Sequence, residues 1–401
     1  MTAPDAPAAA PGEAARFELL AGEAPVGPRL GRIHTARGVV DTPAFMPVAT
    51  RGMLRGPWPD RMRPMGVRMM LANAFHLWAR PGPDVVRDLG GLHAFLGWDG
   101  PVLTDSGGFQ AFSLREAARA AEEGFLLPHP VRGHRVTWTP ELAFRAQAEL
   151  GPEFAMVLDD CPPDPDDRDR VAAAVARTLR WARRQRDLHE ARGGGASGQA
   201  LCAIVQGGLH ADLRAACAEA LVEMEFDGYA VGGVSVGEDF AGRMAGVALS
   251  TRHLPTDRFR YLMGVGTPRD LVEAVARGVD LFDCVYPTRS GRFGTALTRG
   301  GTLHLLNARF TRDPRPIEPG CSCDACATGV PRGAIRAGLK AKELLPMGLL
   351  AHHNLHFLTD LMRRIREAVA ADAFAALRAE VAAAWPAAGE GSPGEADAGD
   401  S

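Results

Sequence analysis

Lysine is almost absent. Only Lys340 and Lys342 stand among 45 basic residues, so cationic chemistry here falls to arginine. The net charge is −3, which excludes a globally basic polyanion binder but leaves room for a local arginine patch. Seven cysteines in 401 residues are too few for a disulfide scaffold. No apolar run approaches the roughly 20 residues needed to span a bilayer. The N-terminus also lacks the charged-then-apolar pattern of a secretory signal, so a soluble cytoplasmic protein is expected. A phosphate-cradling GxxxxGK[ST] loop is missing, and Gly264-Val-Gly266 alone is no nucleotide fingerprint.

What is present is a recurring unit. Residues 1–15 are Ala/Pro-rich and read as a disordered leader, and 386–401 as a disordered acidic tail. Between them, short apolar runs end in polar or glycine-rich tips, and helical stretches usually follow. Arg68–Ala72 runs into Asn73, Pro101–Thr104 into Asp105, and Phe154–Leu158 into Asp159. Ala200–Val205 ends at Gln206, Gly228–Val231 at Gly232, Arg260–Met263 at Gly264, and Val279–Phe282 at Asp283. Stretches such as Arg168–Arg192, Ala211–Met224 and Pro268–Arg277 carry apolar residues at helical spacing. A doubly wound sheet concentrates function at one switch point, whereas here nearly every strand ends in a chemically loaded tip. The fold expected is α/β, a (β/α)8 TIM barrel spanning 16–385, with its site built from loops at the strands' C-terminal ends. An early hairpin on Phe17–Leu20 and Arg29–Val40 closes the bottom, and Thr42–Val48 leads into the first strand.

Cys321, Cys323 and Cys326 sit within six residues in a chain expected to be cytoplasmic. Closely spaced thiolates offer three of the four ligands of a tetrahedral structural zinc. His352, His353 and His356 are the candidates for the fourth, and spacing does not choose among them. A zinc subdomain at about 300–360 is therefore expected as an appendage to the barrel.

Asp105, Asp159, Asp160 and Asp283 all fall at strand ends, and a barrel would aim them into one mouth. Each could serve as nucleophile, proton carrier or acceptor of substrate N–H groups, or could simply cap the next helix. Glycine pairs at 107–108, 207–208 and 232–233 allow close backbone approach to a ligand. Gln206, Gly233 and Asp159 have the donors and acceptors that a planar purine-like base demands, and Phe109 could stack on it.

These motifs, in this order, resemble the tRNA-guanine transglycosylases. The segments are Asp105–Leu114 (DSGGFQAFSL), Gln206-Gly-Gly, Gly232–Glu238, Met263–Pro268, Asp283–Arg292, and the Cys-x-Cys-x-x-Cys site followed by His-Asn-Leu. The resemblance implies exchange of the wobble guanine in G-U-N anticodon tRNAs for a 7-deazaguanine base, in queuosine synthesis. By the same resemblance Asp283 is the nucleophile and Asp105 the general acid/base, while Asp159, Gln206, Gly233 and Phe109 recognise the base. Arg289 and Arg292 contact the tRNA anticodon loop, Cys321, Cys323, Cys326 and His353 hold zinc, and the enzyme is a homodimer. Cys161 and Val236 match the bacterial pocket, implying the aminomethyl precursor rather than queuine. Arg312, Arg315, Arg332 and Arg336 are further candidates for the tRNA patch. Against this stand a metal-dependent barrel hydrolase, an inactive paralogue and a non-catalytic tRNA-binding module.

Overall fold

The computed structural model describes residues 15–22, 26–108 and 119–387. Phe109, almost all of the leader and all but the first two residues of the tail lie outside the described residues.

Three antiparallel strands come first, β1 (Arg16–Ala21), β2 (Leu30–Thr35) and β3 (Gly38–Thr42). The early hairpin is thus a three-stranded meander, because Thr35 turns the chain straight back at Gly38. Nine strands then pair in parallel. They are β4 (Ala44–Met46), β5 (Val48–Ala49), β6 (Met70–Asn73), β7 (Val102–Asp105) and, after an insertion, β11 (Phe154–Met156). β12 (Ala200–Val205), β13 (Gly228–Val231), β14 (Phe259–Leu262) and β15 (Leu281–Asp283) complete the set. Their order is β4-β15-β14-β13-β12-β11-β7-β6-β5.

β4 and β5 are one run interrupted at Pro47, which has no N–H for the ladder. The first half pairs with β15 and the second with β6, so residues 44–49 close the ring and the strand positions number eight. The strand residues are almost wholly buried, as parallel strands covered on both faces must be; all six of β12 are. Helices fill the crossovers as their spacing predicts, at Arg168–Ala191, Ala211–Glu223 and Pro268–Val275. The meander lies against the N-terminal ends of the strands. There Arg29 pairs with Asp280 at 3.2 Å and Arg37 with Glu153 at 2.9 Å. The opposite, C-terminal ends carry the loaded tips.

The insertion between β7 and β11 was not foreseen. It is an antiparallel sheet of β8 (Arg119–Ala120), β9 (Phe125–Pro128) and β10 (Arg135–Trp138). Its buried Phe125, Leu127 and Trp138 pack with Phe75 and Trp181, and Trp138 Nε1 donates to the Ser106 carbonyl at 2.8 Å. The sheet thereby braces the tip that follows Asp105.

After β15, the helix Tyr286–Arg292 leads to the hairpin β16 (Thr295–Thr298) and β17 (Gly301–His304) and then to the cysteine cluster. A long helix, Leu344–Ala370, returns across the outside of the barrel against β4 and the helix Tyr286–Arg292. No described helix is long and apolar enough to cross a membrane.

Candidate active site and metal centre

Two aspartates end neighbouring sectors of the barrel. Asp105 closes β7 and Asp283 closes β15, with β6 and the split first strand between them. Asp105 Oδ1 accepts the Ala74 amide at 3.0 Å, and its Oδ2 accepts the Asn73 side-chain amide. Burial pushes the Asp105 carboxyl up to about 7, and the nearby Asp283 charge adds to the rise against the Ala74 N–H. Asp283 is also raised by burial, while the Tyr261 hydroxyl at 2.5 Å and the Gly264 amide at 2.7 Å pull it back. Two carboxylates in electrostatic reach, one partly protonated near neutrality, can divide the work of nucleophile and proton carrier.

Asp159, Asp160 and Asp283 do not cap the helices that follow them. Thr139, Asp167, Asp239 and Thr267 accept the first-turn amides of the helices that follow them. The helix after Asp283 starts at Val285 with no side-chain cap.

A polar pocket adjoins the pair. Asp159 Oδ2 accepts Gln206 Nε2 at 2.6 Å, and burial raises the Asp159 carboxyl to about 6. The tip after Asp105 presses on this group. A Cβ on Gly108 would lie 2.7 Å from Asp159 Oδ1, closer than packing tolerates. Gly233 has φ +61°, and a Cβ there would stand 2.4 Å from Gln206 Oε1. Gln206 Oε1 is buried with no hydrogen-bond partner among the described residues, an acceptor left for a ligand donor. Asp159, Gln206 and Gly233 are therefore together, whereas Asp160 turns away into an ion pair with Arg170, at 2.8 Å, and Arg177.

The residue that organises this pocket escaped the sequence reading. Arg214 is fully buried and donates to the carbonyls of Gly208 at 2.6 Å, Gly232 at 3.1 Å and Gly233 at 3.2 Å, and to Ser250 Oγ at 2.9 Å. It ties two glycine tips from adjacent strands. A signal existed: Arg214, Cys217, Ala218 and Leu221 share the buried face of their helix, where an arginine must find internal acceptors. Tyr261 was missed as well, since a tyrosine inside an apolar strand reads as core.

Cys321, Cys323, Cys326 and His353 bring one ligand atom each to within 4.8 Å of one another. His353 Nδ1 lies 3.4 Å from Cys326 Sγ, 3.6 Å from Cys323 Sγ and 3.7 Å from Cys321 Sγ. Those separations match the edge of about 3.6 Å that tetrahedral Zn–S and Zn–N bonds would set. His353 Nε2 donates to the Leu297 carbonyl at 2.8 Å, which leaves the Nδ1 lone pair for a metal. His352 faces Asp324 instead, and the His356 ring approaches Cys321 alone among the thiols, at 3.8 Å. The backbone geometry thus separates three histidines that spacing could not. This is the sole such ligand cluster found among the described residues, and the aspartates at the barrel mouth do not form one.

The neighbouring Asn354 links the metal corner to the mouth. Its Oδ1 accepts Leu297 N at 2.8 Å, and its Nδ2 donates to Thr295 O at 2.9 Å and Pro287 O at 3.0 Å. Pro287 belongs to the helix that carries Arg289 and Arg292 out from Asp283. Arg289 is exposed, and Arg292 feels the charges of both Arg55 and Arg289. Three of the four further arginine candidates for this patch make contacts within the chain, whereas Arg312 is exposed. Arg332 is buried on Asp313 and on the Pro316 and Ile317 carbonyls, Arg315 pairs with Asp313, and Arg336 donates to the Leu306 and Asn307 carbonyls. Composition could not reveal those contacts.

Comparison with known proteins bears on this geometry. A family model described as queuine tRNA-ribosyltransferase matches residues 26–387. A protein of that name from Stenotrophomonas maltophilia (strain K279a) is 48% identical over 350 residues, covering 87% of this chain and 92% of its own. Its namesake from Listeria innocua is 44% identical over 369 residues, 92% of this chain and 96% of the relative. The one from Xanthomonas campestris pv. campestris is 46% identical over 367 residues, with the same two coverages. A barrel whose mouth holds two carboxylates beside an amide-and-carboxylate pocket, stapled by a cysteine–histidine corner, meets here a match over nearly its whole length: the chain belongs to the queuine tRNA-ribosyltransferase family.

Proposed function

We propose that this pentosyltransferase replaces the wobble guanine of G-U-N anticodon tRNAs, those for Asp, Asn, His and Tyr, with 7-aminomethyl-7-deazaguanine in queuosine synthesis. The observation that carries the chemistry is the unequal carboxylate pair, Asp105 raised to about 7 beside Asp283 held by two donors. Exchange of a base at an anomeric carbon with retained configuration needs two inversions, hence a nucleophile and a proton carrier. Asp283 attacks the ribose and carries the covalent sugar. Asp105 protonates the departing guanine and then deprotonates the incoming base. Asp159 accepts the ring N–H and exocyclic amine, Gln206 and the Gly233 backbone meet the base's remaining polar edge, and Phe109 stacks on its face. Cys161 and Val236 match the bacterial form of the pocket, which supports the aminomethyl base over queuine.

Arg289 and Arg292 hold anticodon-loop phosphates. Zinc fits the Cys3His donor set and would supply a rigid structural cross-link there, since four protein ligands leave no open position for substrate. We place catalysis in residues 16–385, with the zinc subdomain at about 300–360, in a cytoplasmic homodimer whose second subunit helps to hold the tRNA.

Incorporation of radiolabelled guanine into a G-U-N tRNA tests the reading. Wild-type protein should exchange, while Asp105→Ala and Asp283→Ala should not. Exchange by Asp283→Ala at the wild-type rate would overturn it.

A further inference from the structure

The two oxygens of Asp283 are not equivalent. Oδ1 accepts both the Tyr261 hydroxyl at 2.5 Å and the Gly264 amide at 2.7 Å, and no bond to Oδ2 is found among the described residues. Tyr261 is only 1% exposed and stands on β14, in register with Leu281 of the strand that carries Asp283. Its ring is therefore fixed by packing, and its hydroxyl has one direction in which to donate. Burial, with the negative charge of Asp283 and of the nearby Asp105 and Cys284, holds that hydroxyl protonated, well above the usual tyrosine range.

Resting on the reading of Asp283 as nucleophile, we propose that Tyr261 is a positioning residue that reserves Oδ2 for attack and promotes breakdown of the covalent intermediate. In the first step Oδ2 bonds to C1′ as the C1′–N9 bond breaks, and that electron pair leaves with the guanine, which takes the Asp105 proton. The carboxylate loses its charge, Oδ1 becomes an ester carbonyl, and its hydrogen bonds weaken. In the second step ionised Asp105 removes the N9 proton of the incoming base, and the N9–C1′ bond forms. The C1′–Oδ2 bond breaks, and its pair returns to a carboxylate whose renewed charge Tyr261 and Gly264 receive. Donors fixed where charge develops act on that step in particular. The same two bonds oppose the first step slightly, so they shift the balance between formation and release of the adduct.

Tyr261→Phe keeps the ring and removes the oxygen. Steady-state exchange should fall roughly 100-fold, the lower end of what loss of one aimed donor costs. The fraction of enzyme trapped as covalent tRNA adduct on a denaturing gel should rise several-fold. The acid limb of single-turnover adduct formation should move to higher pH, because Asp283 loses a bond that lowers its pKa. Retained guanine binding through Asp159 and Gln206 would report an intact pocket. Slower exchange with a wild-type adduct fraction and an unmoved acid limb would reduce Tyr261 to packing and overturn the proposal, as would wild-type exchange. Asp283→Asn tests the underlying reading separately: it should trap no adduct, and an adduct there would refute the nucleophile assignment and the role of Tyr261 with it, whatever Tyr261→Phe shows.

Discussion

At the scale of the residue, the site works by placing carboxylates where ionisation is costly. Asp105 and Asp159 both carry raised pKa values, to about 7 and about 6, with burial as the leading cause. Under the proposed reaction the two have opposite consequences for pH dependence. Protonated Asp105 is needed to expel guanine, so single-turnover adduct formation should decline as pH rises through about 7, and Asp105→Asn should abolish both the step and its pH dependence. Ionised Asp159 is needed to accept base N–H groups, so the KM for free base should rise as pH falls through about 6. A KM flat between pH 5 and about 8 would remove Asp159 from base recognition. The strand-end aspartates were legible in the sequence because each interrupts an apolar run. Their unequal surroundings were not legible in local pattern, since Asp159 and Asp160 are neighbours just past β11, and the fold sends one to Gln206 and the other to Arg170 and Arg177.

At the scale of the element, two glycine tips form one pocket wall because a buried guanidinium joins them. Arg214→Met would leave the carbonyls of Gly208, Gly232 and Gly233 without their charged donor, at a cost of about 2–4 kcal/mol. Urea unfolding should show that loss, and the KM for base should rise more than kcat falls. Gly233→Ala should be worse for binding than for stability. It places a methyl beside Gln206 Oε1 in a backbone region that alanine disfavours, and roughly a tenfold loss of base affinity is expected by titration. The barrel strands and the helices Arg168–Ala191, Ala211–Glu223 and Pro268–Val275 emerged from apolar runs and helical spacing, whereas the longest described helix, Leu344–Ala370, did not. The sheet β8–β10 did not, since its strands are two to four residues long and alternate too briefly for a period to register.

At the scale of the whole molecule, the metal corner and the substrate mouth are one mechanical unit. His353 offers Nδ1 to the thiols while Asn354, one residue on, grips the helix of Arg289 and Arg292. Loss of the metal should therefore reach the tRNA surface. Cys326→Ala, or chelation, should lower Tm by roughly 10 °C and weaken tRNA binding while the Asp159–Gln206 pocket keeps its affinity for free base. Metal analysis should return one zinc per chain for the wild type. Arg289→Ala and Arg292→Ala should each flatten the salt dependence of tRNA binding by about one unit of log–log slope. Binding that weakens with an unchanged slope would place those arginines off the phosphates.

By itself the sequence determined the α/β class, the eight strand positions, the three metal-binding thiols and the aspartates at the strand tips. All of these are written in local pattern, as apolar runs, helical spacing and residues too costly to bury idly. Spacing left open which histidine meets the thiols and which of two adjacent aspartates faces the pocket; the family resemblance pointed to His353 and Asp159, and only tertiary structure brought Arg214 and Tyr261 to the site. Those outcomes depend on which side chains are brought within about 3 Å across the ring, the reach of a hydrogen bond. The barrel sets that by closing on itself at Pro47, far along the chain from most of the groups it brings together.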